Sequence, residues 1–375
     1  MGMCGIGPIG FFNLQEVTEI ISIEGLVIDG NMIGSTLLNE LTPPGDSTSP
    51  YGYGAICVPD AVDLIIRDNI ITDFGQQPGA DVAGIFILHS QLVEISRNQV
   101  IETRDWSLST GTTQSDSNDL AGGIILMLVE PPSLAPASSA LWVATPDQGL
   151  PAPLYQPNLP ALRVEHNTVR IPVGQALQAV GFGAFSIVNN HLSSGGTVAV
   201  EEPALAMAVM VINLGLMIEL ADLIATFTAL YNYEMGTTYP VGQGLLSNSS
   251  SGAVLFTNNI IQVEANASLQ TGFASVVVFT LDHLTFSNNL TWLDGPSVTA
   301  WLDVLLFGCT LQVLGNRLQE EIGSVFYSGV TYGLANITAQ NLSTFCLFAE
   351  PKNGKYVLSP NNIVLDPQLC KHRLL

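Results

Sequence analysis

Eight times along the chain an asparagine is preceded by apolar residues five and three positions earlier, and in most copies another apolar residue follows two positions later. The frame reads Leu26-Ile28-Asn31-Ile33, Leu64-Ile66-Asn69-Ile71, Val93-Ile95-Asn98-Val100 and Leu162-Val164-Asn167-Val169. It continues as Phe185-Ile187-Asn190-Leu192, Val254-Phe256-Asn259-Ile261, Leu284-Phe286-Asn289 and Leu311-Val313-Asn316-Leu318. Ala208-Met210-Asn213 and the surroundings of Asn341 fit more loosely. Apolar residues two apart belong to a strand with one buried face, whereas a helix needs spacings of three and four. Upstream of several anchors lies a second apolar run, as in Gly54-Ala55-Ile56, Gly84-Ile85-Phe86-Ile87-Leu88, Val276-Val277-Val278-Phe279 and Val304-Leu305-Leu306-Phe307. Each repeat therefore holds at least two strands. Anchors stand 23 apart (Asn167 to Asn190, Asn190 to Asn213), 27 (Asn289 to Asn316), 29 (Asn69 to Asn98) and 30 (Asn259 to Asn289). Those spacings predict a repeat of about 22 residues interrupted by loops of variable length.

These residues resemble the right-handed parallel β-helix superfamily, the pectate-lyase-like proteins, over roughly Glu19 to Gln340. The resemblance implies an all-β fold, a single right-handed parallel β-helix of about ten coils, with Asn31, Asn69, Asn98, Asn167, Asn190, Asn213, Asn259, Asn289 and Asn316 as a structural asparagine ladder. An asparagine recurring at one bend can give its amide to the neighbouring coil's backbone and satisfy polar groups that an inward turn would strand. The domain plan that follows is an N-terminal cap or junction over 1–18, the repeat over 19–345, and a C-terminal cap or tail over 346–375. Lateral loops rich in turn formers are expected near 42–53, 103–120, 130–160 and 231–251.

Composition excludes several functions. Only 11% of residues are charged, and 32 Asp plus Glu against 10 Lys plus Arg give a net charge of -22, which repels nucleic acid and anionic lipid. The apolar run from Ala204 to Leu230 carries Glu219 and Asp222, each costing about 3 kcal/mol at a bilayer centre, so a membrane span is not expected. Five scattered cysteines with no Cys-x-x-Cys pair point to buried apolar residues rather than a disulfide scaffold or a zinc site. The one pairing left open is Cys346 with Cys370, about one repeat apart. No targeting signal is readable at Met1-Gly2-Met3-Cys4, and an extracellular or surface-associated location is the expectation.

Catalytic chemistry is thinly represented. The resemblance directs attention to hydrolase carboxylate sets, but no Asn-Thr-Asp, Asp-Asp, Gly-His-Gly or Arg-Ile-Lys occurs, and a lyase base is short of candidates because Lys352, Lys355 and Lys371 all lie near the C-terminus. The remaining acid–base candidates are Asp282 and His283, adjacent in an inter-strand turn, and Arg67 with Arg97, each just ahead of an anchor, which would form a small cationic stripe. Neighbouring residues on a strand face opposite ways, which weakens the Asp282–His283 pair. His89 and His166 read as solvated turn residues. No transition-metal spacing appears and no cofactor is expected; scattered Asp residues leave calcium open on charge alone. Tyr51, Tyr53, Tyr231, Tyr233 and Tyr239 are the candidate platforms for a carbohydrate ligand. Taken together these features suggest a non-catalytic structural or adhesive module that associates end to end or within a larger host protein. A polysaccharide lyase or glycoside hydrolase, and a carbohydrate-binding module without turnover, stand as the alternatives.

Overall fold

The computed structural model describes residues 5–7, 23–37, 53–75, 82–104, 122–131, 160–172, 174–195, 208–213, 253–264, 271–280, 283–294, 299–307, 310–320, 329–330, 346–347, 355–358 and 363–364. Among them every regular element is a strand and every pairing is parallel. The strands form one sheet of 15, one of 9 and a two-stranded pair. The pattern of apolar residues two apart explains the strand content. Ile56, Val58, Ile85, Ile87, Ile124 and Leu126 alternate inward on successive strands and stack like on like in the core. Each such side chain, fully withdrawn from water, stabilises the fold by roughly 1.5–3 kcal/mol.

The larger sheet turns a corner, and two long strands make the turn. Tyr53–Arg67 and Val82–Ser96 are 15 residues each and pair with one another from Tyr53↔Val82 to Arg67↔Ser96. The first half of Val82–Ser96 then pairs with Gly122–Glu130, and its second half with Pro160–Glu165. One leg continues through Gln175–Gly181, Val209–Asn213, Thr271–Thr280 and Thr299–Phe307; the other continues through Ala184–Val188, Val254–Thr257, His283–Ser287 and Thr310–Leu314. The second sheet stacks the short strands that follow each anchor, from Met32–Thr36 to Ile363–Val364.

The expected fold needs correction here. A single right-handed parallel β-helix of about ten coils with long lateral loops is not what the described residues form. They make two large all-strand parallel sheets beside the two-stranded pair, the larger bending until it nearly closes on itself in the manner of a barrel wall. The reason is local: spacing marks Gly54–Ile56 and Leu64–Ile66 as two runs, but Asp60, Ala61 and Val62 between them keep their partners His89, Ser90 and Gln91, and the corner is a single left-handed residue on each strand, Asp63 (φ 58) and Leu92 (φ 51), beyond which pairing resumes at Leu64↔Val93. In a later pass the corner is a tight turn instead, made by Phe182 and Gly183 between Gln175–Gly181 and Ala184–Val188. Gly183 has φ +81, and a Cβ there would approach Ala161 Cβ and Pro131 Cδ to 3.0 Å, so glycine is the residue that fits.

The expected lateral loops 42–53, 103–120, 130–160 and 231–251 lie outside the described residues apart from a few terminal positions, as do Cys370 and most of 1–18 and 346–375. Within those end segments, Ile6 makes an isolated parallel bridge to Ile56, and Lys355–Leu358 adds a strand beside Thr310–Leu314. No helix among the described residues is long and apolar enough to cross a membrane.

Candidate functional site

The most ordered polar feature is a column of asparagines where the larger sheet passes into the smaller one. Asn31, Asn69, Asn98, Asn167, Asn190, Asn259, Asn289 and Asn316 follow one another, and each backbone N–H and Nδ2 donates to the Oδ1 of the next at 2.9–3.2 Å. From Asn69 onward each Nδ2 also donates to a carbonyl of the preceding pass: Ile28, Ile66, Ile95, Val164, Ile187, Phe256 and Phe286 in turn. Each of these amides thus satisfies the bend above it and the strand below, inside a core where an unmade bond is costly.

Asn213 is not in this column. It pairs with Gly181 and Thr280 on the other leg and donates to the Gly183 carbonyl, and Asn190 is followed in the column by Asn259. The spacing of 23 from Asn190 to Asn213 is therefore not a repeat. A local signal separates the two cases. The residue before each column asparagine has a left-handed backbone: Gly30, Asp68, Arg97, His166, Asn189, Asn258, Asn288 and Gly315, with φ between 54 and 68. Ile212, which precedes Asn213, is β-branched and sits in a strand, where it cannot make that bend.

The structure places the other predicted residues in separate locations. Arg67 and Arg97 do not share a register: Arg67 lies opposite Ser96 and binds Asp29 at 2.8 Å, whereas Arg97 occupies a left-handed bend and grips Asp68 through Nε and Nη2, both at 2.8 Å. The hydrogen bond from Arg97 holds the Asp68 carboxyl below its ordinary range. The two arginines form neighbour pairs, not a stripe open to a ligand. His283 begins the strand His283–Ser287, while Asp282, Tyr51, Tyr231, Tyr233 and Tyr239 lie outside the described residues; Tyr53 begins Tyr53–Arg67. Arg104 closes a further corner, where it binds Glu102 and the carbonyls of Phe74 and Gly75, and Thr103 donates to Asp73.

The cluster that sequence reasoning missed is Asp60, His89 and Glu130. His89 was expected to be solvated; it is instead 6% exposed, in the middle of Val82–Ser96, and Asp60 and Glu130 are each 1% exposed. Its Nδ1 lies 2.8 Å from Asp60 Oδ1, and its Nε2 lies 3.5 Å from Glu130 Oε2, a charge contact without hydrogen-bond alignment. Burial by itself pushes the imidazole down, but the hydrogen bond to Asp60 and the pull of both carboxylates outweigh it and hold the group up at about 9. At neutral pH His89 is therefore an imidazolium. A signal existed in the sequence, since Asp60 and His89 are 29 apart, the separation of Asn69 and Asn98. Such a cluster can hold a proton and join three strands; its closure to solvent leaves no face on which an acid–base pair could meet a substrate. Among the described residues no three His, Cys, Asp or Glu are grouped so as to hold a metal ion. Comparisons of the chain with protein-family models, curated proteins and solved structures give no match.

Proposed function

We propose that the protein is a non-catalytic structural or adhesive module. The observation that carries this is the asparagine column, in which one buried side chain per pass ties eight passes along a single line. Between successive passes the column bonds act beside the backbone bonds of both sheets, so a load along the stack is shared at every interface, which suits a module of a surface, fibre or tail-like assembly. The fate of the charged groups supports the same reading. Arg67, Arg97 and Arg163 pair with Asp29, Asp68, Glu94 and Glu165 on their own or adjacent passes, and the buried histidine is enclosed by its two carboxylates. In this reading the partner is another copy, end to end, or a larger host protein. The test is a panel of acidic and neutral polysaccharides assayed for new reducing ends and for unsaturated products, alongside glycan-array binding. No turnover and no binding is the expected result; robust turnover would end the proposal, and binding alone would favour a carbohydrate-binding module.

A further inference from the structure

One edge of the stack is the pass that holds Ile23–Glu24, Val27–Asp29 and Met32–Thr36. Among the described residues the first two strands pair only with Tyr53–Arg67, and the third only with Ile70–Phe74. The side turned away from those partners carries groups that are satisfied in every later pass. From Asn69 to Asn316 each column Oδ1 accepts from the asparagine one pass earlier, whereas Asn31 Oδ1 accepts from no described donor. The N–H after a column asparagine donates to the carbonyl of the asparagine one pass earlier, as from Ile70 to Asn31 and from His191 to Asn167, both at 2.8 Å. Met32 is the counterpart in this pass; its N–H has no such acceptor among the described residues, and the residue is 83% exposed.

We propose, on the reading of the protein as a structural module, that this edge is the docking surface for a second copy of the chain. The second copy adds Lys355–Leu358 and Ile363–Val364, the strands at the opposite edge of the described stack, as the next parallel pass.

Register favours that occupant. Followed from strand to strand, Val357 and Leu358 hold the positions of Val27 and Ile28. Ile363 and Val364 likewise hold those of Met32 and Ile33. An apolar residue therefore meets an apolar residue at all four positions. Polarity agrees, because the pairings are parallel and a copy shifted along the stack continues both sheets in the same sense. Two first passes set face to face would instead oppose Asn31 Oδ1 to itself, an acceptor against an acceptor. The sequence also holds a donor for that oxygen: Asn361-Asn362, outside the described residues, precedes Ile363 as Asn189-Asn190 precedes His191 and Asn258-Asn259 precedes Ile260. Charge points the same way. Residues 1–37 contain Glu16, Glu19, Glu24 and Asp29 with no Lys or Arg, whereas residues 346–375 contain Lys352, Lys355, Lys371 and Arg373 against Glu350 and Asp366. The two ends attract in a chain whose net charge of -22 otherwise keeps copies apart.

Because the contact joins unlike ends, each added copy leaves a fresh edge and growth is open-ended. Sedimentation velocity of the full chain over a concentration series tests this, with negative-stain microscopy of the largest species. Average mass should rise with concentration without a plateau at the dimer, and the particles should be unbranched rods. Met32→Pro removes the outward N–H at the first residue of an edge strand, where proline is tolerated. It should leave the melting temperature unchanged and weaken association by about tenfold, as for one lost donor. Its other end is intact, so mixed with the unmodified chain it should shorten the rods. If Met32→Pro does not fold, Val27→Lys, which sets a charge at an exposed position of the same pass, takes its place. A monomer at every concentration, as when residues 8–22 cover the edge within one molecule, a closed dimer, or a variant that associates as well as the unmodified chain would each overturn the docking. Polysaccharide turnover decides the structural reading separately: a monomer without turnover removes the docking alone, and rods with turnover remove that reading alone.

Discussion

Each column asparagine combines three demands: a side-chain donor and an acceptor toward the pass before, a side-chain donor toward the next, and a side chain short enough to turn inward at a bend. Alanine is short enough but supplies neither donor nor acceptor. Asn98→Ala would strand the Ile66 carbonyl, leave the Asn69 backbone N–H and Nδ2 without the Oδ1 they donate to, and leave Asn167 Oδ1 with the backbone N–H of residue 98 alone, for a loss of about 1–3 kcal/mol. Urea unfolding measures it, and an unchanged midpoint would remove the column from the account of stability. The preceding residue carries a separate cost. Arg97 holds φ 55, which disfavours a residue with a Cβ by roughly 1–2 kcal/mol, while its solvent-screened pair with Asp68 contributes little. Arg97→Gly gives up the pair and relieves the bend; Arg97→Ala gives up the pair and keeps the strain. The glycine variant should therefore be the more stable of the two by about 1 kcal/mol, and equal midpoints would show that the bend is not strained.

At the scale of elements, parallel stacking places like on like, because each strand repeats the inward pattern of its neighbour one strand spacing away. The second leg shows this best. Phe256 and Phe286 occupy the same register position on Val254–Thr257 and His283–Ser287, with ring centroids 5.3 Å apart and planes 13° from parallel. Both are fully buried. Truncation of Phe286 to Ala would open a cavity beside its partner and is expected to cost about 3–5 kcal/mol. Phe286→Leu keeps most of the volume and should cost clearly less; the two midpoints compared by calorimetry check that packing, not strand propensity, sets the loss. The apolar alternation that makes these strands was plain in the sequence. The joining of two runs into single strands of 15 residues was not, since Asp60 and His89 interrupt the apolar pattern and acquire their reason to stay extended only from one another.

The whole molecule carries a net charge of -22, and the described arginines 67, 97, 104 and 163 already sit against carboxylates. The surplus negative charge repels itself, and exposed pairs recover little of that. Raising sodium chloride from about 0.02 to 0.2 M shortens the screening length to below about 10 Å and should raise the melting temperature; a fall would mean that the surface pairs outweigh the self-repulsion. The sequence by itself determined what depends on a window of a few residues: strands from apolar spacing, bends from asparagine, and the left-handed position before it, visible in Gly30, Asp68, Asn189, Asn258, Asn288 and Gly315. Tertiary structure alone decided which passes stack. Long excursions separate Asn98 from Asn167 and Asn190 from Asn259 in the chain, and the column closes across both. It likewise set Glu130 against His89, and routed Asn213 to the other leg. These choices rest on contacts between residues far apart in sequence, and the energy of such a contact is absent from either segment until the other is beside it.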